Sequence, residues 1–248
     1  MKKYELTGNK IKHKGSTLYQ IRALRDFGDV KVDDLGGFIE SEENLEHQGT
    51  AWVRDNAKVY DLAIVSGNAQ VTEYAEVCGF ALVYDEAKVL HAAKVKDYTE
   101  VFGNAVISRS ASVYDSAKVF GHAKVHGSAE ICGEAIVYGN AEVAGCAKIY
   151  QHAAVFGNAD IYSGAQVYGD AKVYGNAVLT GRAQIYGNAE VYDKANVYGT
   201  FVRIFGNAKI FGTADVCNHL QEKIELSGNT RICVPYEPVK TEEVVKCQ

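Results

Sequence analysis

Proline is almost missing from this chain. Two occur in 248 residues, Pro235 and Pro238, so no proline interrupts backbone pairing anywhere before the last fourteen residues. Methionine and tryptophan occur once each, and no CxxC pair joins any of the six cysteines at 78, 132, 146, 217, 233 and 247. That spacing excludes the usual zinc and dithiol motifs and leaves free thiols as the expectation, with neither a metal nor a cofactor implied. No apolar run approaches the 18 residues of a membrane helix, and MKKYELTGNKIKHKG has no apolar run after its lysines. A cytoplasmic protein with no membrane role is expected. The net charge of −5 comes without clustered Lys or Arg, which excludes a basic groove for nucleic acid.

What the chain has in quantity is repetition. From Ala51–Val53 to Ala195–Val197 run 25 consecutive A-x-V units at a period of six. The first position is Ala in 24 and Thr99 in the other; the third is Val in 19, Ile in five and Leu179 in one. Two residues past the aliphatic stands Gly in 14 units and Asp in six. A helical face repeats every 3.6 residues, and a Gly every six would cost a helix about 1 kcal/mol each time. A short strand fits instead: Ala and the aliphatic point inward, the residue between them points outward, and Gly or Asp makes the turn by tolerating positive φ or bonding to its own backbone.

Strand and turn at strict six-residue intervals describe a three-sided β-helix with 18 residues per coil, each coil burying its face only against its neighbours. At about 4.8 Å per coil the repeats would span roughly 40 Å. Three regions follow: 1–44 as an N-terminal cap, 45–217 as the β-helix, and 218–248 as a degenerate last coil and C-terminal cap. In the cap, YQIRALRDFGDVK reads as an irregular strand pair followed by a Gly36–Gly37 turn. The register slips once, by one residue near Thr200–Phe201, which is expected to be a local bulge that builds no pocket. Ile224–Leu226 and Thr230–Ile232 read as a final degenerate pair.

Residues 19–60 hold IRALRDF and LGGFIESEENL, and with the hexads that follow they resemble the YdcK-like β-solenoid family, found in bacteria and their prophages. The resemblance implies a single-stranded left-handed parallel β-helix; periodicity alone leaves the hand open. It implies no settled activity, and the transferase label sometimes attached to the family rests on analogy of fold.

Hexapeptide acyltransferases place a His as general base and an excursion loop for the acyl donor. Here His91, His122, His126 and His152 fall at different corners or levels, with no carboxylate expected beside them, and there is no excursion loop. No catalytic residue is assigned, and an acyltransferase using an acyl-CoA donor is the alternative reading.

One outward column stands apart. Just after the aliphatic, on the same side of successive coils, come Tyr84, Phe102, Phe120, Tyr138, Phe156, Tyr174, Tyr192 and, past the slip, Phe211. Neighbouring rings stacking for stability is one account of this ladder. The other is an exposed apolar strip that meets a partner. The second is adopted: a non-catalytic scaffold binding itself as a homo-oligomer, or a host protein in the manner of a prophage-encoded factor, with carbohydrate stacking a weaker alternative. A broken second column holds Tyr60, Cys78, Lys96, Tyr114, Cys132, Tyr150, Tyr168, Tyr186 and Phe205.

Overall fold

The computed structural model describes residues 2–218 and 223–234. Pro235, Pro238 and the rest of the expected C-terminal cap past residue 234, and residues 219–222 of the degenerate last coil, lie outside the described residues. The chain divides into two compact units, Met1–His126 and Gly127–Gln248.

Both units are built from the hexad as anticipated. Each A-x-V unit forms a two-residue strand at x and the aliphatic, except the last, Asn196–Tyr198, which has three residues, and the aliphatic and the preceding Ala are fully buried throughout. Strands pair in parallel with those eighteen residues away, as in Lys88↔Val106 and Val89↔Ile107 of the first unit or Lys148↔Gln166 and Ile149↔Val167 of the second. Three parallel sheets result. Thr99, the one substitution in the Ala column, is buried and donates its hydroxyl to the Lys96 carbonyl at 2.7 Å. That bond satisfies the one polar side chain placed in the Ala column.

Every corner is made alike. All 25 residues two past the aliphatic have positive φ, from 54° at Asp55 to 128° at Gly199. Glycine suits this position because a Cβ on Gly175, for example, would lie 2.8 Å from the Asp193 nitrogen on the next coil. The aspartates hold it differently from expectation. Their carboxylates accept from the backbone N–H one coil on, Asp61 from Gly79 and Asp85 from Gly103 at 3.1 Å each, and the turn is thereby tied to its neighbour.

The N-terminal region departs from the sequence reading. Strand β1 (Tyr4–His13) and β2 (Ser16–Ala23) form an antiparallel hairpin around Lys14 and Gly15, both at positive φ. Strand β3 (Leu35–Ile39) then pairs antiparallel with β2 and parallel with Lys58–Val59. Gly36 and Gly37 therefore lie within a strand and make no turn. Their reason is space: a Cβ would sit 2.6 Å from Ile21 Cγ1 at Gly36 and 2.7 Å from the Ala57 carbonyl at Gly37. Ile39 faces Val59 and Leu45 bridges to Val65, so the solenoid's first coil starts at β3, ahead of residue 45. Lys3 and Tyr4 cover the open backbone of that coil. The Lys3 ammonium, fully buried, donates to the Ala51 carbonyl at 2.9 Å, and the Tyr4 hydroxyl to the Leu45 carbonyl at 2.7 Å. Burial, then the nearby Arg25, lowers the Lys3 pKa to about 8.

The slip falls where expected. Ile185 pairs with Ile204, nineteen residues on, and Ile224–Leu226 and Arg231–Val234 add the last strands to two sheets.

Candidate functional site

The ladder is made of rings in face-to-face contact. In the first unit Tyr84, Phe102 and Phe120 stack at 4.9 and 4.7 Å between centroids, within 5° of parallel. In the second, Tyr138, Phe156, Tyr174, Tyr192 and Phe211 stack at 4.8–5.0 Å. The second column forms a run of its own, Tyr150, Tyr168, Tyr186 and Phe205, at 4.8–4.9 Å. All eight ladder rings are half-buried, less open than the strip expected from sequence. Stacked rings cover one another's faces, and the Tyr84 and Tyr174 hydroxyls turn back onto the sheet. Tyr84 donates to Glu100 at 3.3 Å and Tyr174 to Glu190 at 2.9 Å, in each case sixteen residues on. Burial and then the Glu190 bond raise the Tyr174 pKa; burial works against ionisation of Glu190, but bonds from Lys209 and Tyr174 outweigh it and lower its pKa.

The histidines correct a second expectation. His152 has carboxylates on both sides, Glu134 at 3.7 Å from Nε2 and Asp170 at 3.6 Å from Nδ1, and His91 lies 3.9 Å from Glu73. These partners stand eighteen residues away, one coil above or below, and an eighteen-residue comparison of the sequence would have found them. The distances exceed a hydrogen bond, and the His152 group is well exposed to water. His126 follows its aliphatic directly, and His122 occupies the outer corner position that Asn holds elsewhere.

Two features escaped the sequence reading. Beside the half-buried ladder, the first unit carries an open apolar patch: Leu62, Phe80 and Tyr98 at one corner are 59%, 47% and 63% exposed, with the Phe80 and Tyr98 rings stacked at 4.7 Å and 3°. Ile64 and Leu82, paired on the adjoining outward face, are also exposed. At about half exposure apiece, five large apolar side chains present roughly several hundred Å², the size that marks an interaction surface. The signal was available three residues past the aliphatic, where Leu62, Phe80 and Tyr98 recur at eighteen.

The second feature lies at the slip in register. The bulge does line a cleft, of about 230 Å³, contrary to expectation. The extra residue between Gly199 and Val202 turns Phe201 outward, 49% exposed, and opens space against Arg182, Arg203 and Lys223. Among the described residues the five cysteines are free thiols, no group of three or more His, Cys, Asp or Glu could hold a metal ion, and no helix is long and apolar enough to cross a membrane.

Stacked hexads with left-handed-region corners, a capping hairpin and ring ladders define the class: a parallel β-solenoid of hexapeptide repeats. The comparisons name the kind. The model of the YdcK β-solenoid repeat matches residues 165–181 and 183–199, and the chain is 39% identical over 70 residues to the uncharacterized acetyltransferase YdcK of Escherichia coli (strain K12). The chain carries the YdcK-type solenoid repeat, as the resemblance of its opening residues led us to expect. That alignment takes in 28% of this chain and spans about a fifth of the relative's length (21%).

Proposed function

We propose that this chain is a non-catalytic scaffold that binds protein, in the first place a second copy of itself, through apolar ring surfaces held on a rigid solenoid. The observation that carries the reading is the Leu62, Phe80 and Tyr98 corner with Ile64 and Leu82. It is an apolar patch in which the Phe80 and Tyr98 rings stack on one another and Ile64 and Leu82 stand on paired strands. A preorganised patch loses little entropy on docking, and its self-complementary apolar character suits a two-fold contact between copies. The ladder residues Tyr84, Phe102, Phe120, Tyr138, Phe156, Tyr174, Tyr192 and Phe211 offer ring edges to the same kind of partner. A cytoplasmic setting, and a host protein as the partner of a prophage-encoded factor, belong to the same reading. Sedimentation velocity of the wild type and of a Leu62→Ser, Phe80→Ser, Tyr98→Ser variant tests it. A dimer or larger species should form in the micromolar range and dissociate in the variant. A wild type that stays monomeric and captures no protein sinks the proposal.

A second reading has its own support: the matched relative is named an acetyltransferase, and His152 stands between two carboxylates. Calorimetry with acetyl-CoA decides it. Saturable binding together with acetyl transfer to an amine or hydroxyl acceptor that His152→Ala abolishes would place this chain among the enzymes.

A further inference from the structure

The cleft at the register slip is chemically unlike the rest of the surface. We infer that it binds a small molecule carrying a phosphate or carboxylate group on a flat apolar body, the anion held by Arg182 and Arg203 and the flat body resting on Phe201.

The cleft exists because the solenoid takes in one extra residue. Ile185 pairs with Ile204, and the chain from Gly199 to Val202 is displaced outward to absorb the difference. Phe201 is left standing on the surface. Its backbone is not loose: its carbonyl accepts from the Ile224 N–H at 3.0 Å, and the Thr200 N–H donates to the Asn218 side chain at 3.2 Å. From the main space of about 230 Å³ a more open trough of about 450 Å³ runs along the corner past Gly164 and Cys146. Gly164 keeps that trough clear, since Arg182 lies over it with Cγ 3.6 Å from where a Cβ would be.

The charge is one-sided. Among the described residues, Arg182, Arg203 and Lys223 face a single carboxylate, Glu225, which lies 3.5 Å from Arg203 and 2.7 Å from Lys223. Arg182 makes no side-chain hydrogen bond or ion pair among the described residues. Elsewhere in this acidic protein several outward lysines are matched one coil away, Lys118 with Glu100, Lys148 with Glu130 and Lys209 with Glu190. An unmatched guanidinium at the mouth of a cleft offers its planar fork to an oxyanion. Gln184 adds an amide to the same wall. The aromatic face beside it accepts a flat group and does not select among such groups.

The test is calorimetric titration of the whole chain with AMP, which joins a phosphate to a flat base, and in parallel with inorganic phosphate. AMP should bind saturably and more tightly than phosphate. Arg182→Ala should weaken AMP by about tenfold or more, the loss of one charge-assisted contact. Phe201→Ser should lower AMP affinity toward that of phosphate and leave phosphate unchanged. Arg182 and Phe201 are both outward, and wild-type circular dichroism would show that the variants fold. Absence of saturable AMP binding, or AMP affinity unmoved by both substitutions, overturns the proposal. Neither outcome bears on self-assembly through the Phe80 patch, which belongs to the other unit.

Discussion

Replacing Phe156 by Ala removes one rung from the middle of a stacked run. Its ring lies 4.9 Å from Tyr138 and 4.8 Å from Tyr174, within 8° of parallel to both. Two aromatic contacts at about 0.5–1.5 kcal/mol each are lost. The ring is half-buried, so roughly 1 kcal/mol of hydrophobic stabilisation goes with them. The expected cost is about 2–4 kcal/mol. Phe80→Ala gives the comparison, since that ring has one stacked partner, Tyr98, and is half exposed, so about 1 kcal/mol should be lost. Phe156→Tyr keeps the rung and should change stability by less than about 0.5 kcal/mol. Equilibrium urea unfolding followed by far-ultraviolet circular dichroism reads the global effect. Hydrogen exchange of the Val155 and Val173 amides reads the local one, because a solenoid transmits a defect mainly to adjacent coils. A Phe156→Ala variant within about 0.5 kcal/mol of wild type would refute a structural role for the stack. The rings would then be kept for what they touch outside the chain.

Lys3 gives a prediction in pH. Its folded pKa of about 8 lies below its ordinary 10.5, so between those values the unfolded chain holds more protons and stability rises with pH, by up to roughly 3 kcal/mol. Burial raises the Tyr4 pKa, and that contribution is lost as pH climbs above about 10, so the window for the gain is 8 to 10. Melting curves at pH 7 and 9.5 should show the gain in wild type and its loss in Lys3→Met; equal pH responses would disprove it. Gly36→Ala forces a Cβ against Ile21 and the Val53 carbonyl and should cost about 2–3 kcal/mol. Trp52, buried 2.8 Å from the same point, would report the disturbance as a shift in fluorescence. Thr99→Ala restores the repeat and removes a satisfied hydroxyl together with its only need for a partner, so stability should stay within about 1 kcal/mol of wild type. A larger loss would mean the Lys96 carbonyl depends on that bond.

The interior was legible because its periodicity is undiluted: Ala51 to Val197 sets strand, corner and pairing at once, and the one slip is visible as seven residues between Val197 and Ile204. The N-terminal hairpin was less so. Its strands alternate weakly, with Thr7, Gly8 and Asn9 straddling a bulge between Leu6 and Lys10, and the Lys14–Gly15 turn that betrays it was passed over. Gly36 and Gly37 misled because glycine signals a turn and close approach with the same letter; only Ile21, Val53 and Ala57, distant in sequence, distinguish the two. Ring stacking was legible from the eighteen-residue spacing. The degree of exposure was not, since it depends on how closely each ring lies against the next, 4.7–5.0 Å apart, which the spacing alone does not give.

The solenoid also explains where its chemistry has to be sought. Of six residues in a repeat, Ala and the aliphatic are fixed by the core, and the residue two past the aliphatic is fixed by positive φ. The residue just after the aliphatic is tied to its own column by stacking, as are the outward strand positions by alternating charge. The residue three past the aliphatic, on the outer corner, answers to none of these, and by default it is Asn, as in the side-chain ladder Asn140, Asn158 and Asn176 at 2.9 and 3.1 Å. Many of the unusual features of this surface occupy that one position. Leu62, Phe80 and Tyr98 stand there, as do Glu134, His152 and Asp170, and so do Cys146, Gly164, Arg182 and Thr200 at the cleft. A column free of structural duty diverges only by drift or by selection for contact with something else. Drift scatters; here apolar residues (Leu62, Phe80, Tyr98) and ionisable ones (Glu134, His152, Asp170) each recur at intervals of eighteen, so that related groups meet on adjacent coils. The ladder that first draws the eye is the part of the surface most occupied with holding the fold together, and the outer corners are the part left free to act.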